Sequence, residues 1–239
     1  MLSILVPCYN EELLVKSSFK EIIKSLKSNK IKKYEIILID DGSVDKSLTI
    51  VEKLQEKNKN IKIIKNKKNY GMGYNFFTGI KKSKGKYLIL LPADNSHPAS
   101  EISKMLNYIG SDYDLVTTYY SNHNKSRSIF RNLFTLAYTP VLNFIFGTNF
   151  KYFNGLTLYK TKDLKSLKFK NSSFSYQIEI FVYLFHKRKL KTKVIPTILK
   201  DRKKGSKAFR VKNSVQVIFS IIRIFYQSIF YRISNFLNQ

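Results

Sequence analysis

The sequence predicts an α/β fold built on a mostly parallel central sheet with helices on both faces. Three observations predict it. Short apolar runs alternate with longer segments whose apolar residues recur at helical spacing, the pattern of strand–helix–strand crossovers and parallel pairing. The first, second and fourth of these runs stop at a polar or acidic turn, and in open α/β sheets that carboxyl edge is where ligands bind. The 239 residues, 44% hydrophobic, suffice for one sizeable α/β domain with elaborations.

Ser3 to Pro7 reads as a buried strand that ends in Pro7-Cys8-Tyr9-Asn10-Glu11-Glu12. Leu13, Leu14, Phe19, Ile22, Ile23 and Leu26 then recur at helical spacing, with lysines on the other side. Tyr34 to Ile39 is a second strand, closed by Asp40-Asp41-Gly42-Ser43-Val44-Asp45. A helix through Leu48, Val51 and Leu54 leads to a third strand, Ile61 to Ile64. Asn69-Tyr70-Gly71-Met72-Gly73 opens a third helix through Phe76, Phe77 and Ile80. The fourth strand, Lys86 to Leu91, stops at Pro92-Ala93-Asp94.

Beyond Asp94, Ile102, Met105, Leu106 and Ile109 predict a helix, and Tyr113 to Thr118 a strand. Ile129 to Phe146 is long and mostly apolar. Phe153 to Tyr159 is strand-like, Phe174 to Phe185 helical, and Thr192 to Ile195 a strand. A basic loop, Lys200 to Lys212, leads into a last apolar segment, Val215 to Leu237. Gln216, Arg223, Gln227 and Arg232 interrupt that segment, which suits an interfacial helix better than a membrane span.

Several classes are excluded. A dinucleotide fingerprint needs its glycines directly after the first strand, whereas Gly71 and Gly73 follow the third. No Gly-Lys-Ser/Thr follows any strand. The single cysteine, Cys8, allows no internal disulfide and reads as a small pocket-wall residue. His97, His123 and His186 lack zinc spacing. No signal peptide is expected, because the N-terminus runs straight into a strand. The net charge of +27 is uneven. Residues 1–120 hold 20 basic and 13 acidic side chains; residues 121–239 hold 23 and 3. That field points to a polyanion: nucleic acid, an anionic membrane or a phosphorylated substrate. No recognition helix, zinc finger or ribonucleoprotein motif supports nucleic acid.

The order of motifs, Val6-Pro7-Cys8-Tyr9-Asn10-Glu11, Asp40-Asp41-Gly42-Ser43-Val44-Asp45, Asn69-Tyr70-Gly71-Met72-Gly73 and Ala93-Asp94 after an apolar strand, resembles family 2 glycosyltransferases. Gln177-Ile178-Glu179 and Arg202-Lys203-Lys204-Gly205-Ser206-Lys207 look like the polyprenol-phosphate (dolichol-phosphate) sugar transferase branch. The resemblance spans roughly residues 2–210 and implies a GT-A fold with a Rossmann-like sheet. It implies a donor half at 1–96 and an acceptor half at 97–212, followed by an amphipathic, membrane-associating helix at 213–239.

By that resemblance Pro7, Tyr9, Glu11, Asp41, Gly71 and Asp94 line a nucleotide-sugar pocket, with Asp41 at the base. Asp94, with Gln177 as a further ligand, would hold Mg²⁺ or Mn²⁺ against the leaving diphosphate. Arg127, Arg131, Arg202 and Lys207 would receive a polyprenyl phosphate. A hydroxyl acceptor on a surface polysaccharide or glycolipid would instead need a base, for which Glu179 is the candidate. The implied location is the cytoplasmic face of a membrane, on an anionic surface or beside a membrane-protein partner. The chain departs from the family pattern in three places. Pro92 replaces the first Asp of the usual Asp-x-Asp, and Thr117-Thr118-Tyr119-Tyr120 replaces a Gly-Ser/Thr-Arg. Tyr152 and Thr157 stand where an Asp and an Arg or Lys are common. A nucleotide-binding pseudoenzyme is therefore a rival reading. The turn and helix-cap chemistry of Asp40 to Asp45 and ordinary core packing of the glycines are the structural alternatives to ligand contact.

Overall fold

The protein is described here by a computed structural model covering residues 1–122, 139–144, 147–167, 175–187, 189–200 and 226. Its strands are β1 (Leu2–Cys8), β2 (Tyr34–Asp40), β3 (Ile61–Lys65), β4 (Tyr87–Leu90), β5 (Leu115–Tyr120), β6 (Thr157–Lys160) and β7 (Thr192–Thr197). Its helices are α1 (Val15–Ser28), α2 (Ser47–Lys57), α3 (Met72–Lys82), α4 (Ala99–Leu106), α5 (Thr161–Lys165) and α6 (Tyr176–Lys187). The strands form one sheet in the order β3-β2-β1-β4-β6-β5-β7.

β1 is buried along its whole length, as befits a strand with parallel neighbours on both sides. Its side chains alternate between faces, as the pleat requires. Ile4 and Val6, with Ile36 and Leu38 of β2, pack under Phe19, Ile22 and Leu26 of α1, Val51 of α2, and Ile102 and Met105 of α4. Leu5, Ile37 and Ile39 pack on the opposite side with Phe76 and Ile80 of α3, Leu164 of α5, and Ile180 and Phe181 of α6. Full burial of each such side chain contributes about 1.5–3 kcal/mol.

Among the described strands, β6 alone runs against its neighbours. It starts from the edge at which β5 ends, so it returns beside β5 without a crossover. The strand expected over Phe153 to Tyr159 begins only at Thr157. The Gln177 amide takes the carbonyls of Phe153 (3.0 Å) and Gly155 (2.8 Å). Gly155 also lies against the β5 backbone, where a Cβ would come 1.8 Å from the Thr118 carbonyl oxygen. Helix α1 likewise starts after Leu13 and Leu14, because their segment is tied to the loop after β2. Pro196 is accommodated in β7 because that strand pairs on one side only, with β5.

Among the described residues no helix is long and apolar enough to cross a membrane. The expected C-terminal helix at 213–239 lies outside the described residues except for Tyr226, as does most of the apolar stretch from Ile129 to Phe146.

Candidate active site

The strand order reverses between β1 and β4. β1 leads through α1 to β2 on one side, while β4, reached through α3 on the opposite face, lies on its other side. Such a switch point opens a crevice beyond the carboxyl ends of the two strands. Pro7 and Cys8 end β1 at this edge and Tyr9 follows them, while Pro92, Ala93 and Asp94 follow β4. The two exits stay paired: the Ala93 N–H donates to the Pro7 carbonyl at 3.1 Å. Pro7 is buried, Tyr9 is 37% exposed, and Glu11 and Asp94 are half-buried.

The loops after β1 and β2 are stitched into one wall. The Asn10 N–H donates to Ser43 Oγ (3.1 Å), and the Val44 N–H donates to Asn10 Oδ1 (2.9 Å). The Glu11 N–H donates to Ser47 Oγ (2.8 Å), and the Glu12 N–H to Asp45 Oδ2 (3.1 Å). Asp45 also accepts the Ser47 N–H at 2.9 Å, so it shapes the turn into α2 and ties the neighbouring loop. Ser43 and Asp45 of this motif thus bridge the two loops.

Asp41 is 3% exposed, and its carboxylate holds the glycine loop. Its Oδ1 accepts the Tyr70 N–H (2.9 Å) and Asn66 Nδ2 (2.8 Å); its Oδ2 accepts the Gly71 N–H (2.9 Å). Asn66 Nδ2 also donates to Asn75 Oδ1 at 2.8 Å, inside α3. Gly71 adopts φ +91° as the residue leading into α3, a conformation that favours glycine. The orphaned carboxylate oxygen on this edge belongs instead to Asp40. Its Oδ1 is buried with no hydrogen-bond partner, while its Oδ2 receives the Ser43 N–H at 3.3 Å. Sequence reading singled out Asp41. Asp40, Asn66 and Asn75 emerge only from the packing, and the one sequence signal for Asp40 was its place at a strand end.

Cys8 is 2% exposed. Burial, then the nearby carboxylates of Asp40, Glu11 and Asp45, push its thiol up to about 12 despite a bond with Ser47. It is therefore not a nucleophile at neutral pH.

The loop after β4 turns sharply at Asn95, whose φ is +54°. Asp94 Oδ1 accepts the Ser96 N–H at 3.0 Å. Behind it, burial of His97 drives its imidazole down to about 4, so the ring is neutral and packs on Tyr120, centroids 6.1 Å apart. Glu21 of α1 accepts the Ala99 N–H (2.8 Å) and pairs with Lys200. Lys200 also donates its N–H to the Ser96 carbonyl (3.0 Å) and its ammonium to Asn95 Oδ1 (3.3 Å). Asn122 is bonded in both directions to Leu199, by Nδ2 to the carbonyl (2.8 Å) and by Oδ1 from the N–H (3.2 Å). Asn122 and Lys200 therefore lie together beside the Asp94 loop. Arg127, Arg131, Arg202 and Lys207 lie outside the described residues.

Beyond β4, Gln177 is 8% exposed and its Nε2 also donates to Thr157 Oγ1 at 3.0 Å. Thr157 bonds Thr117 at 2.9 Å. Tyr152 packs on Tyr120 at 5.4 Å. Neutral hydroxyl, amide and aromatic packing thus surrounds Thr157 and Tyr152, the positions where the family commonly carries charged residues. Glu179 is buried, at 3% exposure. Among the described residues no group of three or more His, Cys, Asp or Glu side chains is placed to hold a metal ion. Asp94 alone offers a partly accessible carboxylate on the β4 exit, a hard oxygen donor that suits Mg²⁺ or Mn²⁺ when phosphate oxygens and water complete the shell.

The family model for glycosyl transferase family 2 matches residues 3–171. The chain belongs to that family. It is 36% identical over 131 residues to an undecaprenyl-phosphate 4-deoxy-4-formamido-L-arabinose transferase of Proteus mirabilis, covering 54% of this chain and 39% of that protein. It is 39% identical over 110 residues to a dolichyl-phosphate beta-glucosyltransferase of Dictyostelium discoideum, covering 44% and 34%. The chain thus spans only 39% and 34% of the length of these two relatives. Among solved structures, the mannosyltransferase PcManGT of Pyrobaculum calidifontis, in complex with GDP-Man and Mn²⁺, superposes with a TM-score of 0.64. That superposition has 15% identity and covers 93% of this chain and 64% of that one. The fold is GT-A, as the motif order implied.

Proposed function

We propose that this family 2 chain transfers a sugar from a UDP- or GDP-linked donor to a polyprenyl phosphate, with inversion at the anomeric carbon. The observation that carries the reading is the position of Asp94. It leaves β4 at the switch point, beside the β1 exit whose loop is stitched to Asp40 to Asp45. The polyprenyl-phosphate relatives support the same acceptor class.

In this mechanism Pro7, Tyr9 and Glu11 form the donor wall, with Asp41 and Gly71 setting the loop beside it. Asp41 would contact the base, and the buried Asp40 Oδ1 offers an unpartnered acceptor on the same strand end. An oxygen of the acceptor phosphate attacks the anomeric carbon from the face opposite the diphosphate. The bond from that carbon to the diphosphate oxygen breaks, and its electron pair leaves with the nucleoside diphosphate. Bound Mg²⁺ or Mn²⁺, held by Asp94 with Gln177 Oε1 as a further oxygen donor, would neutralise the charge on that leaving group. A phosphate nucleophile needs no general base, and the burial of Glu179 suits that choice over a hydroxyl acceptor. Arg127, Arg131, Arg202 and Lys207 would supply the cationic acceptor site. The segment 213–239 would rest on the anionic, cytoplasmic face of a membrane, giving a donor half (1–96), an acceptor half (97–212) and a peripheral anchor.

The test is sugar transfer by the purified chain to a short polyprenyl phosphate, over a panel of UDP- and GDP-sugars with and without Mg²⁺ or Mn²⁺. Metal-dependent transfer to the lipid is expected. Donor binding with transfer only to a glycan hydroxyl would replace the acceptor, and donor binding with no transfer would leave a nucleotide-binding pseudoenzyme.

A further inference from the structure

On the face of the sheet that carries α1 and α2, a groove of about 460 Å³ runs between these two helices. Its apolar lining is Phe19, Ile23, Leu54 and Ile61. Its rim is basic: Lys16, Lys20, Lys24 and Lys27 stand on α1, and Lys57 faces them from the end of α2. No acidic side chain lines it. The four α1 lysines are spaced four, four and three residues apart. They form a row on one helix flank, about 16 Å long at 1.5 Å per residue. All five rim lysines are exposed.

We propose that this groove docks an amphipathic helix of another protein, with its apolar face on the Phe19–Leu54 floor and acidic residues at three- and four-residue spacing against the lysine row. Charge complementarity selects this occupant. A second copy of this chain, at net +27, and its own basic, apolar segment 213–239 both bring like charge to the rim. A flat headgroup layer would meet the lysines and leave the recessed floor unfilled. A phosphodiester backbone has no use for that floor. A helix of about three turns matches the row in length and presents side chains to both features. The proposal does not depend on the transferase reading.

The probe is a labelled synthetic peptide of four helical turns, leucine-faced with glutamate flanks. Its binding to the full chain is followed by fluorescence anisotropy at physiological salt. A scrambled peptide of the same composition and vesicles containing an anionic lipid are run beside it. Two double variants carry the same charge change: Lys20→Glu with Lys24→Glu at the groove, and Lys162→Glu with Lys189→Glu on the opposite face. The expected result is at least about tenfold weaker peptide binding for the groove pair and less than about twofold for the distant pair. Thermal melting of both is expected to match the parent. Equal losses in the two pairs, or a scrambled peptide bound as tightly, would reduce the groove to bulk charge and overturn the proposal. Vesicle binding that falls with the groove pair while peptide binding does not would reassign the face to a membrane surface.

Discussion

The Asp41 carboxylate accepts the backbone N–H of Gly71 at 2.9 Å, tying the end of β2 to the start of α3 across the carboxyl edge of the sheet. Three further contacts, from Tyr70, Asn66 and, through Asn66, Asn75, make this a latch on the loop that carries the glycines. Asp41→Asn keeps the shape but sets an amide NH₂ against one or more N–H donors. A lost hydrogen bond to a buried charge costs about 1.5–3 kcal/mol. The variant is expected to melt lower and to bind nucleoside diphosphate at least about tenfold more weakly in calorimetric titration. Unchanged affinity would show that the loop geometry does not matter to the donor.

Asp94→Asn removes the charge at the β4 exit while keeping an acceptor for the Ser96 N–H. Metal-dependent turnover is expected to fall by a factor on the order of 100 or more, because the leaving diphosphate loses its counter-charge. Melting temperature is expected to change little. Retained metal-dependent turnover would place the ion elsewhere.

Glu35 is buried and accepts Ser3 Oγ (2.7 Å), the Lys84 N–H (2.6 Å) and Lys62 Nζ (2.7 Å). Burial alone would raise its carboxyl, but these bonds outweigh it and hold the group below the ordinary glutamate range. A depressed carboxyl stabilises the fold above its unfolded value, about 4.3, and loses that contribution as pH falls through the folded value. Glu35→Gln is expected to cost about 1–3 kcal/mol in urea unfolding at pH 7. The gap from the parent is expected to narrow below about pH 4. A gap independent of pH would show that the charge is not what stabilises this junction.

His97 carries the opposite sign of group. Its folded value of about 4 lies below the ordinary histidine value, because burial disfavours the imidazolium. The unfolded chain takes up the proton first as pH falls below about 6.5, so stability drops between there and about 4, by up to about 1.4 kcal/mol per pH unit. His97→Phe keeps a ring against Tyr120 and is expected to remove this slope from melting curves collected over that range. A variant with the same slope as the parent would locate the acid sensitivity at other groups.

Much of this architecture was legible in the chain itself. Ile4 and Val6 against Leu5, and Ile36 and Leu38 against Ile37 and Ile39, announce strands buried on both faces. Phe19, Ile22 and Leu26 announce the helix that covers one of them. The order of Pro7 to Glu11, Asp40 to Asp45, Gly71 and Asp94 was enough to resemble family 2 glycosyltransferases, because each motif punctuates a strand end. The short β6 was less legible. Phe153 to Leu156 have strand-like composition, and the Gln177 amide, 22 to 24 residues away, takes the carbonyls of Phe153 and Gly155.

The sequence by itself determined the α/β class, the polar strand ends and the family, since these depend on periodicity and local turn chemistry. Only the tertiary structure decided which of two adjacent aspartates is committed. Asp41 accepts three hydrogen bonds from the loop and Asp40 keeps an unpartnered oxygen, a distinction set by donors 25 to 30 residues away. It also decided that Asn122 and Lys200 come together beside the Asp94 loop, because β5 and β7 pair in parallel and bring their ends together. Short-range pattern encodes elements; partners distant in sequence are chosen by packing, which no local window contains.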